Sequence, residues 1–138
     1  RLDAVEAYAG TIPSASDEIG VVGFCWGGST SFSYAVHQSD LDAAVVYYGS
    51  SPAEGAPYGQ IVAPVLGLYG GDDQRVNASI PTAQAAMGSL GKSYEVEVYG
   101  GAGHGFLRAQ SGQEGANMRA TDQGWLRTIN FFREHLEG

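Results

Sequence analysis

Ile19-Gly20-Val21-Val22-Gly23-Phe24-Cys25-Trp26-Gly27-Gly28-Ser29 is the stretch on which the reading of this chain turns. Val21, Val22 and Phe24 predict a short buried strand, and Gly23-Phe24-Cys25-Trp26-Gly27 sets a thiol at the centre of a turn made of small residues. A strand that runs straight into a helix crowds the backbone around the residue at its apex. The positions two before and two after it must then be small, and Gly23 and Gly27 meet that demand. Gly28 lets the following helix lie close to the strand. The pattern is a nucleophile elbow with Cys in place of Ser. The amides of Trp26 and Gly27 would open the helix, and those donors favour a thiolate and, later in a reaction, an oxyanion.

Working outward, the chain alternates apolar strand-like runs with amphipathic stretches. Leu2, Val5, Ala9 and Ile12 mark the inner face of an opening helix that ends at Gly10. Ser29 to Gln38 reads as a helix of small residues, Leu41 to Tyr48 as a strand covered on both faces, and Ser50 to Pro64 as a long loop of the kind that often carries function. Val65 to Tyr69 is a third strand. Ala78 to Leu90 is a helix with Ile80, Ala83, Ala86, Met87 and Leu90 inward, and Tyr94 to Tyr99 has the alternation of an edge strand. The last helix runs from about residue 118 to Leu136, with Trp125, Leu126, Ile129, Phe132 and Leu136 expected inward. Strands alternating with helices of this length predict an α/β fold, a parallel sheet of about four strands with helices on both faces. Residues 1–138 form a single domain in this reading.

Composition narrows the function. The chain has 7 basic and 15 acidic residues, a net charge of -8, which argues against nucleic acid and anionic membrane as partners. Cys25 is the only cysteine, so no disulfide can form within the chain, and a free thiol suits the cytoplasm. No apolar run reaches the length of a membrane span. Glycine, 21 of 138 residues, clusters at 23–28, 70–71 and 100–105, each time after a strand-like run. Each of these loops carries one chemical candidate: Cys25, then Asp73 or its neighbour Asp72, then His104. The carboxyl ends of parallel strands share one sheet edge, so these side chains converge there. The order nucleophile, acid, histidine suits nucleophilic catalysis: His104 takes the thiol proton and an aspartate fixes the imidazole tautomer. His37 and His135 lie on helices and read as structural. No phosphate-binding loop follows Gly28, and no second ligand stands at a spacing that would hold a metal.

Three of these stretches resemble the dienelactone hydrolase family of the α/β-hydrolase fold. Gly23-Phe24-Cys25-Trp26-Gly27-Gly28 is similar to its G-x-C-x-G-G elbow, and Gly70-Gly71-Asp72-Asp73-Gln74-Arg75-Val76 to its G-G-x-D-x-x-V acid loop. Gly101-Ala102-Gly103-His104-Gly105-Phe106 is similar to its A-G-H-x-F histidine loop, and the likeness extends to Tyr47-Tyr48-Gly49 and Thr128 to Leu136. The resemblance implies hydrolysis of carboxylic esters or lactones without a cofactor. Cys25 would form an acyl-thioester, His104 would move protons, Asp73 rather than Asp72 would orient it, and the Trp26 amide would serve the oxyanion hole. Arg108 aligns with a family arginine that binds a substrate carboxylate. Gly105 departs from the type enzyme, which has a serine there, so substrate identity does not carry over.

In the family about a hundred residues precede the opening helix. They supply further strands, the second oxyanion-hole amide, a glutamate at the resting cysteine and another arginine. The present chain, which begins at Arg1 rather than Met, therefore reads as the carboxyl-terminal half, a partial α/β-hydrolase fold. The strand before Cys25 would have one bare edge. That edge predicts pairing with a second copy, as a homodimer, or with the missing N-terminal segment. The alternative reading is a truncated, catalytically silent hydrolase half that acts as an assembly or binding module.

Overall fold

The computed structural model describes residues 1–137. Its elements in order are helix α1 (Leu2–Ala9), strand β1 (Gly20–Phe24), helix α2 (Trp26–His37), β2 (Ala43–Tyr47), β3 (Val65–Gly70), a single-turn α3 (Gln74–Asn77), α4 (Ile80–Ser89), β4 (Tyr94–Tyr99) and α5 (Ala116–Leu136). The four strands are parallel and lie in sequence order, β1-β2-β3-β4. Every carboxyl end therefore falls on one edge, as expected from the alternating pattern.

Side-chain alternation divides the core into two layers. Ala44, Val46, Val65 and Tyr69 pack with Phe32, Ala35 and Val36 of α2 and with Ile80, Ala83 and Met87 of α4. Ala43, Val45, Tyr47, Leu66 and Leu68 pack on the other face with Ala120 and Phe131 of α5. Both faces of β2 and β3 are covered, and every residue of the two strands is buried.

Several expectations are corrected. Val21, Val22 and Phe24 were expected to be buried, but Val22 and Phe24, which point to the α5 side, are exposed; β1 is an edge strand, with the bare edge that the family resemblance led us to expect. Of the residues expected inward on α5, Phe132 and Leu136 pack half-buried against the core and Ile129 is half-buried, but Trp125 and Leu126 are not covered. Trp125 is 49% and Leu126 60% exposed, whereas Asn117, Ala120, Thr121, Gly124, Thr128 and Phe131 are buried. The reason lies in the partner. The buried face must fit round Tyr47 and Tyr99, whose rings come within 3.5 Å of where a Cβ on Gly124 would stand, and the Tyr47 and Thr128 hydroxyls meet at 2.7 Å. Small and polar residues suit that surface better than a leucine stripe.

Helix α1 forms as expected but buries no residue. It is held instead by Glu6, whose carboxylate accepts from the Tyr34 hydroxyl and from Gln38 Nε2. Leu90 of the fourth helical stretch is likewise exposed. The loop at 50–64 is anchored at a few points while much of it is exposed. Ile61 and Ala63 enter the core, and Tyr58 is buried with its hydroxyl donating to the Pro52 carbonyl at 2.6 Å.

Candidate active site

Cys25 stands between β1 and α2 with φ 56° and ψ -119°, outside the ordinary wells for a residue with a side chain. The surrounding bonds over-determine that conformation. The Cys25 amide donates to the Tyr47 carbonyl at 3.1 Å, and the Cys25 carbonyl accepts from the Ser29 amide at 3.1 Å. A Cβ on Gly23 would lie 2.0 Å from the Gly27 carbonyl oxygen, and one on Gly28 2.6 Å from the Tyr47 carbonyl oxygen. These two glycines let α2 start directly against the strand ends. Gly27 corrects the expectation: a Cβ there would meet nothing within 4 Å. Its smallness is not required by the packing of this chain. Trp26 is the first residue of α2, so its amide is among those without an intrahelical acceptor, while its indole is 81% exposed.

The acid and the histidine meet through a second close approach. A Cβ on Gly70 would lie 2.5 Å from the Ala102 carbonyl oxygen and 2.6 Å from that of Gly103, so the loops after β3 and β4 touch backbone to backbone. Asp73 is 93% buried by that contact and caps α3, its Oδ1 accepting from the Val76 amide at 3.4 Å. Its Oδ2 accepts from His104 Nδ1 at 2.5 Å. Asp72 lies on the outside, lining a different cleft with Gly100 and Arg119. Of the two candidate acids, therefore, Asp73 reaches the imidazole. The bond assigns the Nδ1 proton and leaves Nε2 for the cleft.

Cys25 and His104 line one cleft of about 220 Å³ together with Trp26, Ser29, Tyr48, Ser50, Arg75 and Val76. No hydrogen bond joins Cys25 to His104; they face the same space across it. A second cleft of about 280 Å³ continues on the other side of Cys25, lined by Phe24, Tyr48, Gly105, Leu107 and Arg108. Of the residues expected at the site from sequence, Cys25, Trp26, His104 and Arg108 thus line these two clefts, and Asp73 stands behind His104.

Tyr48 was not expected as a site residue, yet it borders both clefts. Its ring meets His104 edge-on at 5.2 Å and Phe106 at 5.1 Å between centroids, and its backbone has φ 38°. Burial, and then the nearby Cys25, push its phenol well above the ordinary tyrosine range, with Arg108 opposing. The hydroxyl stays a neutral donor at physiological pH. Gly49 was a usable signal: a Cβ there would lie 2.2 Å from the Ser29 amide nitrogen, so the end of β2 passes against the start of α2. Asn117 was also missed. Buried behind the histidine loop, it accepts from the Gly103 amide at 2.9 Å and donates to the Ala109 carbonyl at 2.7 Å. An Asn in an apparent helix start carries no sequence signal for that role.

The arrangement has the parts of nucleophilic acyl transfer: a thiol on a strained turn at a helix start, and an imidazole whose far nitrogen is fixed by a buried carboxylate. Comparison with known proteins agrees with that architecture. The model of the dienelactone hydrolase family matches residues 1–136. The chain belongs to the dienelactone hydrolase family. A Saccharolobus solfataricus protein named as a carboxymethylenebutenolidase is 32% identical over 131 residues, 95% of this chain and 50% of that protein. A dienelactone hydrolase crystal structure from Klebsiella pneumoniae superposes with a TM-score of 0.80 at 29% identity, over 95% of this chain and 58% of that one. A dienelactone hydrolase-like promiscuous phosphotriesterase from metagenomic libraries shares the fold, with a TM-score of 0.83 at 23% identity over 96% of this chain and 59% of its own. The family member described here spans about half the length of the curated relatives it matches.

The other side chains fit structural roles. His37 Nδ1 donates to the Ser33 carbonyl at 2.7 Å, and His135 packs edge-on against Phe131. Among the described residues no cluster of three His, Cys, Asp or Glu side chains could hold a metal, and no helix is long and apolar enough to cross a membrane.

Proposed function

We propose that this chain carries the nucleophile, acid and base of a cofactor-independent hydrolase acting on carboxylic esters or lactones. The observation that carries the reading is the shared cleft of Cys25 and His104, with His104 Nδ1 held by the buried Asp73. His104 Nε2 takes the Cys25 proton, and the thiolate sulfur attacks the acyl carbon to form a C–S bond. The carbonyl electrons move to an oxyanion that the Trp26 amide, at the positive end of α2, receives. As the oxyanion collapses, the C–O bond breaks and the alkoxide takes its proton from the His104 imidazolium. His104 then deprotonates a water that attacks the thioester, and sulfur leaves as thiolate with the carboxylic product. Arg108, in the cleft beside Cys25, is suited to a carboxylate on the substrate. The names of the relatives support the ester or lactone class.

In kinetic terms, ester turnover by the purified chain is expected to disappear in Cys25→Ala. It should fall by about 10²-fold or more in His104→Ala. Turnover undiminished in Cys25→Ala would refute the reading.

The exposed β1 edge supports a companion proposal. Its free backbone groups, with Val22 and Phe24 exposed beside them, suit pairing with one more strand, from a second copy or from a further segment of the hydrolase. A solution mass of a monomer at micromolar concentration, unchanged on adding such a segment, would contradict it.

A further inference from the structure

Tyr48 carries a hydrogen-bond donor that the fold leaves unused. The hydroxyls of Tyr34, Tyr47, Tyr58, Tyr69, Tyr94 and Tyr99, all buried or half-buried, each meet a partner within the chain. Tyr48 is only 3% exposed, yet its hydroxyl has no partner among the described residues. A buried tyrosine oxygen ordinarily finds one, so an exception that borders a cleft points to a group that enters the cleft.

The ring is held in place on several sides. Its amide extends the β2–β3 ladder by donating to the Leu68 carbonyl at 2.9 Å, and its ring lies 5.2 Å from that of His104, 5.1 Å from Phe106 and 5.8 Å from Tyr47 between centroids. Cys25 and Tyr48 are the two residues that line both clefts, so the place where they join is bounded by the thiol and by this phenol. After burial, the field of Cys25 is the largest influence raising the phenol, which sets the oxygen within reach of the sulfur's charge.

Acyl transfer through a thioester uses one oxygen position twice. The alkoxide that departs takes its proton from His104 Nε2, and the water that later attacks gives a proton to the same nitrogen, so both oxygens stand between His104 and the acyl carbon. Either oxygen has one lone pair left over in that position. We propose that Tyr48 is a catalytic residue whose hydroxyl donates to this oxygen, the leaving oxygen in acylation and the water oxygen in deacylation. This inference rests on the hydrolase reading above. Tyr48 keeps its proton throughout: in acylation the C–O pair goes to the departing oxygen, which His104 protonates, and in deacylation the new C–O bond forms as the C–S pair returns to sulfur.

Tyr48→Phe keeps the ring against His104 and removes the oxygen alone. Cys25 is acetylated with 4-nitrophenyl acetate, excess reagent is removed, and loss of the acetyl group at neutral pH is followed by intact mass, beside the same acetylated chain unfolded in urea. The folded parent is expected to lose the acetyl group faster than the unfolded chain, and Tyr48→Phe about three- to tenfold more slowly than the parent. In acylation, kcat/KM should fall further for phenyl acetate than for 4-nitrophenyl acetate, because the more basic phenoxide depends more on a donor. The urea midpoint of Tyr48→Phe should equal or exceed the parent's, since the hydroxyl makes no bond in the fold. Deacetylation of Tyr48→Phe at the parent's rate overturns the proposal while leaving the triad intact. A lowered urea midpoint in Tyr48→Phe also overturns it, by making the hydroxyl structural. If the folded parent loses the acetyl group no faster than the unfolded chain, the hydrolase reading of the lone chain fails, and the role of Tyr48 falls with it.

Discussion

Gly23 and Gly27 flank the thiol symmetrically in sequence, and the structure predicts that replacing them has opposite effects. A methyl group on Gly23 would sit 2.0 Å from the Gly27 carbonyl oxygen and 2.5 Å from Ser31 Oγ. The first of these is backbone and cannot rotate away, so α2 must lift from β1 by about an ångström. Overpacking of that kind costs about 1–3 kcal/mol, at the upper end here because the strained Cys25 turn lies between the two elements. Loss of the 3.1 Å bond from Ser31 Oγ to the Gly27 carbonyl adds about 1 kcal/mol. Gly23→Ala should therefore destabilise by roughly 3–4 kcal/mol. Gly27→Ala meets nothing within 4 Å and replaces a helical glycine, so it should be neutral or stabilise by up to about 1 kcal/mol. Urea unfolding followed by circular dichroism gives the two midpoints. The rate of Cys25 alkylation by iodoacetamide shows whether the elbow has moved, and it should change in Gly23→Ala and stay near the parent value in Gly27→Ala. Equal destabilisation by the two substitutions would refute the reasoning.

Asn117→Ala removes two of the bonds that tie the histidine loop to α5 and strands the buried Gly103 amide, so a loss of about 2–3 kcal/mol is expected in the same unfolding assay, together with slower ester turnover. Retained turnover at parent stability would count against the positioning role. The buried tyrosines predict alkaline sensitivity. Burial pushes Tyr47 up to about 12, with its Thr128 contact partly offsetting, whereas the unfolded chain titrates near 10. Between those values the unfolded state binds fewer protons, so stability falls as pH rises, by about 2 kcal/mol for Tyr47 alone when pH 12 is reached. The slope of stability against pH above 10 should be shallower in Tyr47→Phe, and an identical slope would contradict the assignment.

Much of this architecture was legible because backbone sterics wrote it into residue types. The elbow needs Gly23 and Gly28 where strand meets helix, and the acid and histidine loops need Gly70 where their backbones touch. The parallel order followed from the alternating pattern, and with it the convergence of Cys25, Asp73 and His104. Side-chain packing was less legible. Trp125 and Leu126 of α5 advertise a face that stays exposed, while the middle of the face that packs, around Gly124 and Thr128, is small and polar because it surrounds the Tyr47 hydroxyl. For β1, the apolar run could not distinguish a central strand from an edge strand, since that depends on what lies beside it. Tyr48 and Asn117 take their places through tertiary position, and no local pattern marks them. The four-residue α3, which turns Arg75 toward the cleft after Asp73 caps it, was also too short to announce itself.

The central claim is that Cys25 is the acyl carrier, and the most direct measurement is the intact mass of the chain quenched in acid during reaction with an activated acetate ester. The account predicts one added acetyl group, mapped to Cys25 on a peptide containing Trp26. The adduct should be absent in Cys25→Ala and should build up slowly in His104→Ala. Steady ester turnover with no acyl group on Cys25, or the same adduct in Cys25→Ala, would contradict it.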